Sequence, residues 1–222
     1  MKLGFLKKFP LIGPALFKVR TEFRHRLGEH RLDKALANAP VGWRIVIGAS
    51  GIADEGWIST DIEYLNLLKA RDWERFFQPD SIDALLAEHV WEHLTPEEGA
   101  CAAALCFKYI KPGGYLRVAV PDGYHPDPDY IERVRIGGSG LGADDHKVLY
   151  THKTFSDLFA RAGFRCRLLE YFDAQGTFHS ENWDEKAGTI VRSQRFDERN
   201  REGKLNYTSI MLDAIKDASA AT

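Results

Sequence analysis

The turn Gly48-Ala49-Ser50-Gly51 ends the apolar run Arg44-Ile45-Val46-Ile47, and Asp61 follows thirteen residues after Gly48. Small residues at the end of a buried strand let the backbone approach a ligand. A carboxylate at the end of the next strand can accept hydrogen bonds from ribose hydroxyls, so the pair fits a nucleoside site at the carboxyl edge of a parallel sheet. A second group of reactive side chains lies in Glu88-His89-Val90-Trp91-Glu92-His93. His89 to His93 has the H-x-x-E-H spacing of inverted zinc-protease motifs, which need both histidines on one helical face and a further ligand. His125, His146 or His179 could supply that ligand. Because the motif begins at a strand end and Pro96 helps start the helix after His93, the two histidines are not expected to share a turn. No metal is therefore expected, and His93 is read as a structural hydrogen bonder.

These groups require a scaffold of alternating strands and helices. Arg44–Ile47, Trp57–Thr60, the weaker Leu65–Leu68, Ser81–Ala87, Tyr115–Val120 and Phe164–Phe172 read as strands. Thr95-Pro96-Glu97-Glu98 has the form of a helix start, with a cap, a proline at the first helical position and a glutamate to close a capping box. That helix stops at Lys111-Pro112-Gly113-Gly114, and another covers about Lys153–Ala162. Thr189–Arg192 reads as a final strand, Tyr207–Ala218 as a helix and Arg195–Lys204 as a solvated loop. Alternation at this spacing gives an α/β fold with a doubly wound, Rossmann-like, mostly parallel sheet. Only about eight residues separate the first two strands, fewer than the dozen or so that a parallel crossover usually needs. The first crossover is therefore shortened.

Composition narrows the function classes. The 222 residues suit one α/β domain. No apolar run reaches the roughly 18 residues of a membrane span. Cys101, Cys106 and Cys166 form an odd set and read as small apolar filler in a reducing, cytoplasmic compartment. Residues 1–31 hold eight Lys or Arg against Glu22 and Glu29, so the remainder is acidic. Residues 1–40 form a basic arm whose segment 15–37 reads as an amphipathic helix, and 41–222 form the domain. The arm suits packing on the domain's own edge, or peripheral contact at the inner face of a membrane. Lys7, Lys8 and Pro10 interrupt any secretory signal core.

Ala87-Glu88-His89-Val90-Trp91-Glu92-His93-Leu94, then Tyr109-Ile110-Lys111-Pro112-Gly113-Gly114-Tyr115-Leu116-Arg117-Val118-Ala119-Val120-Pro121-Asp122, resembles the fourth-strand and fifth-strand signatures of class I S-adenosylmethionine-dependent methyltransferases. Ala162-Gly163-Phe164 resembles the end of a late helix of the same family. The match spans roughly residues 42–175. The chain is also similar to a group of bacterial predicted methyltransferases that share a terse glycine-rich opening ending in Gly-Trp-Ile-x-x-Asp (here Gly56 to Asp61) and the tail residues Arg199-Asn200 and Tyr207-Thr208-Ser209.

The resemblance implies S-adenosyl-L-methionine as cofactor. Gly48, Ala49 and Ser50 would lie beside its methionine portion, Asp61 on the ribose diol, Asp72 near the adenine, and Glu88 and His89 next to the methyl. Ser50 replaces the family's second glycine. With the short crossover, this leaves two readings: a first helix reduced to a turn in an active enzyme, or a degenerate site in a non-catalytic binding or partner module. Transfer to a hydroxyl needs a base, and a histidine suits that near neutral pH. His146 and His125, in the loops after the fifth strand, are the candidate bases, with Asp122 or Asp145 orienting one of them. DNA amino-methyltransferases carry Asp/Asn-Pro-Pro-Tyr/Phe where this chain has Glu88-His89-Val90-Trp91. No basic, aromatic groove suggests nucleic acid. By analogy the acceptor is a small or medium hydroxylated molecule, such as a sugar or glycan precursor.

Overall fold

The computed structural model describes residues 12–39, 42–49, 54–200 and 203–218. Seven strands form one sheet: β1 (Arg44–Ile47), β2 (Ile58–Ser59), β3 (Ile82–Glu88), β4 (Ile110–Pro121), β5 (Arg165–Phe172), β6 (Phe178–Ser180) and β7 (Ser209–Ile215). Their order is β2-β1-β3-β4-β7-β5-β6. The β2-β1-β3-β4 half is parallel, and β7 runs antiparallel between β4 and β5. The sheet is thus α/β and Rossmann-like, with the expected short first crossover: residues 48–57 carry no helix among those described.

The two faces of the sheet separate with the period of two that a pleated strand dictates. Ile45, Ile47, Leu85, Ala87, Leu116, Val118, Ile210 and Leu212 point into one core. It is shared with α1 (Ile12–Asn38) through Leu32, α2 (Ala70–Phe76) through Trp73, α3 (Pro96–Tyr109) through Cys106, and α5 (His152–Arg161) through Phe155. The helix α4 (Pro128–Val134) packs in a separate cluster with Tyr207. At the head of α3, Thr95 and Glu98 form the anticipated capping box. The helix α1 is tied down by ion pairs from Arg24 to Glu63 (2.6 Å) and from Glu29 to Arg75 (2.9 Å).

The other face differs from a doubly wound sheet in its covering. Val46, Ala84, Leu86, Ala119 and Met211 pack against Trp57, Trp183, Ile190 and Phe196, with no residue of an α-helix in the cluster. An irregular strap, Trp183 to Asn200, takes the place of a helical layer there. Its backbone cannot satisfy itself as a helix does, so sheet side chains supply the partners. Arg44 donates to the Lys186 carbonyl (2.7 Å), Tyr115 to that of Ala187 (2.9 Å), and Arg117 to those of Asp184 (2.7 Å) and Gly188 (2.9 Å). Glu170 accepts from the Trp183 indole (2.9 Å) and from the Gln194 N–H (2.7 Å).

Three element readings change. Leu65–Leu68 forms turns. Asn66 accepts from the Leu68 N–H (2.8 Å), and Leu65 bonds back to the Asp61 carbonyl (3.0 Å), so turn chemistry overrides the apolar alternation. Thr189–Arg192 is irregular, because the Val191 and Arg192 N–H groups go to a carboxylate instead of a ladder. Tyr207–Ala218 contains β7 instead of a helix: a strand buried on both faces is nearly continuous in apolar residues and has no period to distinguish it.

Candidate active-site cleft

Strand order reverses at β1, with β2 on one side and β3 on the other, which is the switch point where open α/β sheets bind ligands. A cleft of about 760 Å³ opens there, lined by Val46, Ile47, Gly48, Ala49, Leu86, Glu88 and His89 from the strand ends, and walled by Asp54 and strap residues from Thr189 to Arg199.

Gly48 leaves β1 with φ of +66°, a conformation that side chains disfavour, and a Cβ there would stand 3.1 Å from Val90 Cγ2. Beyond it, Ala49 donates to the Thr60 carbonyl (2.9 Å) while the Thr60 N–H returns to Val46 (2.8 Å). This exchange sets Asp61 beside the cleft residue Ala49; its carboxylate is half-buried and caps the Ile62 N–H (2.9 Å). Ser50 lies outside the described residues.

Glu88 ends β3 with its carboxylate in the cleft, held by the backbone N–H groups of Val191 (3.0 Å) and Arg192 (2.7 Å) and by the Arg192 guanidinium (3.4 Å). His89 also lines the cleft, at φ of +54°. Its Nε2 lies 2.9 Å from Ser209 Oγ, and burial holds its pKa well below the usual histidine value.

Four other expected site residues do not line the cleft. Asp72 is buried on α2, where its carboxylate accepts from the Asn66 N–H (3.1 Å) and fixes the turn before the helix. Asp122 is fully buried and accepts from the Tyr124 (2.9 Å) and Phe172 (2.7 Å) N–H groups; burial pushes its pKa up to about 6. His125 stacks on Tyr130 at 3.9 Å, and both ring nitrogens contact backbone: Nδ1 accepts from the Asp127 N–H and Nε2 faces the Leu205 carbonyl, each at 3.2 Å. His146 is buried with Nδ1 2.7 Å from the Val134 carbonyl. Asp122 and His125 hold the loops after β4 in place, and polar loop composition alone could not show that they turn inward. Asp145 pairs with Lys147 (2.7 Å) in solvent.

The strap contributes cleft residues that the reading of 195–204 as a solvated loop missed. Asp197 takes both Nε (2.8 Å) and Nη2 (2.6 Å) of Arg199, whose guanidinium lies 3.4 Å from the centroid of the Tyr207 ring. Asn200 donates to the Tyr207 carbonyl (2.7 Å) and accepts from its N–H (2.8 Å), fastening the strap to the start of β7. The usable signal was the pairing of Arg199-Asn200 with Tyr207-Thr208-Ser209, together with Trp183, Ile190 and Phe196 set among the charges.

Behind His89, a short 3₁₀ turn, Trp91–His93, projects Glu92 and His93 toward His146. Glu92 is 1% exposed, and burial raises its pKa to about 8.

No protein-family model and no curated protein matches the chain. Solved structures do. An S-adenosylmethionine-dependent methyltransferase from Archaeoglobus fulgidus is 16% identical over 89% of this chain and 97% of its own, with a TM-score of 0.46. One from Thermotoga maritima is 15% identical over 91% and 96%, with a TM-score of 0.47. An O-methyltransferase family protein from Burkholderia thailandensis is 11% identical over 91% of this chain and 60% of its own, with a TM-score of 0.47.

Proposed function

We propose that this protein is a methyltransferase that uses S-adenosylmethionine to methylate a hydroxyl of a small or medium acceptor, such as a sugar or glycan precursor. The observation that carries the reading is the cleft at the β1/β3 switch point, with the Gly48 turn on one side, the Glu88 carboxylate on the other and Asp61 one strand away. Its volume lies within the roughly 300–1,000 Å³ of small-molecule sites. Four carboxylates (Asp54, Glu88, Asp197 and Glu198) line it against two guanidinium groups, Arg192 and Arg199. That balance suits a ligand bearing an ammonium, a sulfonium and a single carboxylate.

In this reading, Gly48 and Ala49 leave room for the methionine portion, and Asp61 accepts from the ribose hydroxyls. Bound S-adenosylmethionine supplies an electrophilic methyl group on sulfur. The walls from β3 and the strap align the acceptor oxygen in line with it and exclude water. Transfer of that methyl to the acceptor oxygen would release the hydroxyl proton, which a base at the cleft wall would take. Among the described histidines His89 lines the cleft and takes that role in place of His146 and His125, its Nε2 exchanging Ser209 Oγ for the acceptor hydroxyl.

Calorimetric titration with S-adenosylhomocysteine tests the cofactor site. Micromolar affinity is expected, weakened at least tenfold (about 1.4 kcal/mol) by Asp61→Ala. No binding by the folded wild-type protein would overturn the enzyme and favour a non-catalytic module.

A further inference from the structure

The three side chains Glu92, His93 and His146 offer one carboxylate oxygen and two imidazole nitrogens, all within 4.8 Å of one another. Both oxygens of Glu92 are buried without a hydrogen-bond partner, and so is Nδ1 of His93. His89 Nδ1 lies 3.2 Å from Glu92 Oε1, but off hydrogen-bonding geometry. A buried carboxylate is normally paired, hydrogen-bonded or bound to a metal. This one faces three imidazoles, His89 at 3.2 Å on one side and the His93 and His146 pair on the other.

The surroundings have the form of a ligand sphere. His146 Nδ1 meets the Val134 carbonyl at 2.7 Å, which fixes the ring and leaves Nε2 as the free donor, as metal-bound histidines are commonly oriented. Asp145 Oδ2 stands 3.6 Å from His93 Nδ1, a further carboxylate at the edge of the cluster. The backbone is braced as well, because the Lys147 N–H bonds the Glu92 carbonyl at 2.7 Å and keeps the two segments in register.

We propose that Glu92, His93 and His146 form a binding site for one divalent transition-metal ion of the zinc class. Two imidazoles and one carboxylate are the donors zinc takes when it keeps an open position, and they also suit other borderline divalent ions. Tetrahedral zinc sets its ligands about 3.4 Å apart, so small side-chain rotations close the cluster. The set omits His89, so the H-x-x-E-H pattern contributes only its Glu92-His93 half. The third ligand comes from the end of the glycine-rich loop 137–146. An ion here pins that loop to the turn after β3, immediately behind the cleft residue His89. The site stands independently of any cofactor in the cleft.

The test uses full-length protein stripped with chelator, then titrated with Zn²⁺ and, separately, Co²⁺. One equivalent is expected to bind with micromolar or tighter affinity, with a visible Co²⁺ spectrum of nitrogen and oxygen ligation. At about a hundredfold excess of free Zn²⁺ over Kd, Tm should rise by roughly 5–10 °C. Glu92→Gln and His146→Gln should each weaken binding at least tenfold and so cut the Tm shift at the same free Zn²⁺ to about half or less, while His179→Ala, on the far edge strand, should leave both intact. If either buried variant fails to fold, His93→Gln, at a half-exposed position, carries the same expectation. Absence of stoichiometric binding to the folded wild type, or binding unchanged in the folded ligand variants, overturns the site.

Discussion

Replacing Arg117 with methionine should separate the strap from the sheet. Arg117 is 2% exposed, and its guanidinium makes two bonds to Asp213 on β7 (2.8 and 3.0 Å) and two to strap carbonyls. It also lies 5.2 Å from the Trp183 ring centroid. The substitution leaves a buried carboxylate and two carbonyls without their donor. Breaking a buried pair from one side typically costs about 3–5 kcal/mol, or roughly 6–20 °C in Tm for a chain of this size. Arg117→Met/Asp213→Leu removes the stranded charge as well, so most of that loss should return. The Asp184 and Gly188 carbonyls stay unpaired, so a deficit of about 1–3 kcal/mol should remain. Urea denaturation of wild type, both single variants and the double variant gives the cycle. Amide exchange should accelerate at Val191, Arg192 and Gln194 in both Arg117 variants, because their N–H groups depend on the strap lying flat. A loss below about 1 kcal/mol in Arg117→Met, or unchanged protection at all three amides, would refute the account of the strap as a layer held by buried polar anchors.

Asp122 gives a pH signature. Its folded pKa is raised to about 6 from 3.8, so the native state holds the proton more tightly than the unfolded chain. Its contribution is therefore lost as pH rises from about 4 through 6, by up to about 3 kcal/mol. Asp122→Asn should remove that slope in denaturation curves at pH 4 and 7, while lowering stability by about 1–3 kcal/mol because an amide cannot accept from both N–H donors; an unchanged slope would contradict the assignment. Gly48→Ala forces a side chain into the +66° conformation against Val90, so a loss of about 1–2 kcal/mol is expected in the same assay, with weaker S-adenosylhomocysteine binding. Wild-type values for both would show that the turn has slack.

The sequence made the parallel half of the sheet legible because its punctuation is local. Thr95-Pro96 and Glu98 announce α3, Gly48 ends β1, and a buried apolar run marks β3. The antiparallel half was harder to read. Ser209–Ile215 is buried on both faces, so it carries no alternation, and only its place between β4 and β5 makes it a strand. The residues of the cleft floor, Gly48, Ala49, Glu88 and His89, sit at strand ends and could be placed by position. Those of its wall could not, because Arg192, Asp197 and Arg199 reach the cleft through tertiary contacts that leave no periodic trace. His125 and His146 were candidate bases because they lie in polar loops, a context that does not reveal the backbone carbonyls and packing that bury both rings away from the cleft lining.

The place of β7 has a consequence for the order of assembly. Of the strands described, it lies latest in the chain, yet it fills the slot between β4 and β5. Until it inserts, β4 and the β5–β6 hairpin present two unpaired edges, each a template for another chain. A nascent chain emerging amino end first must hold both edges open until residue 215 is available, because the register of β7 is set by ladders to β4 and β5 at once. Docking should therefore be a late and slow event dominated by distant contacts. A polypeptide that stops before residue 209 should partition to aggregates even though most of its hydrophobic core is encoded.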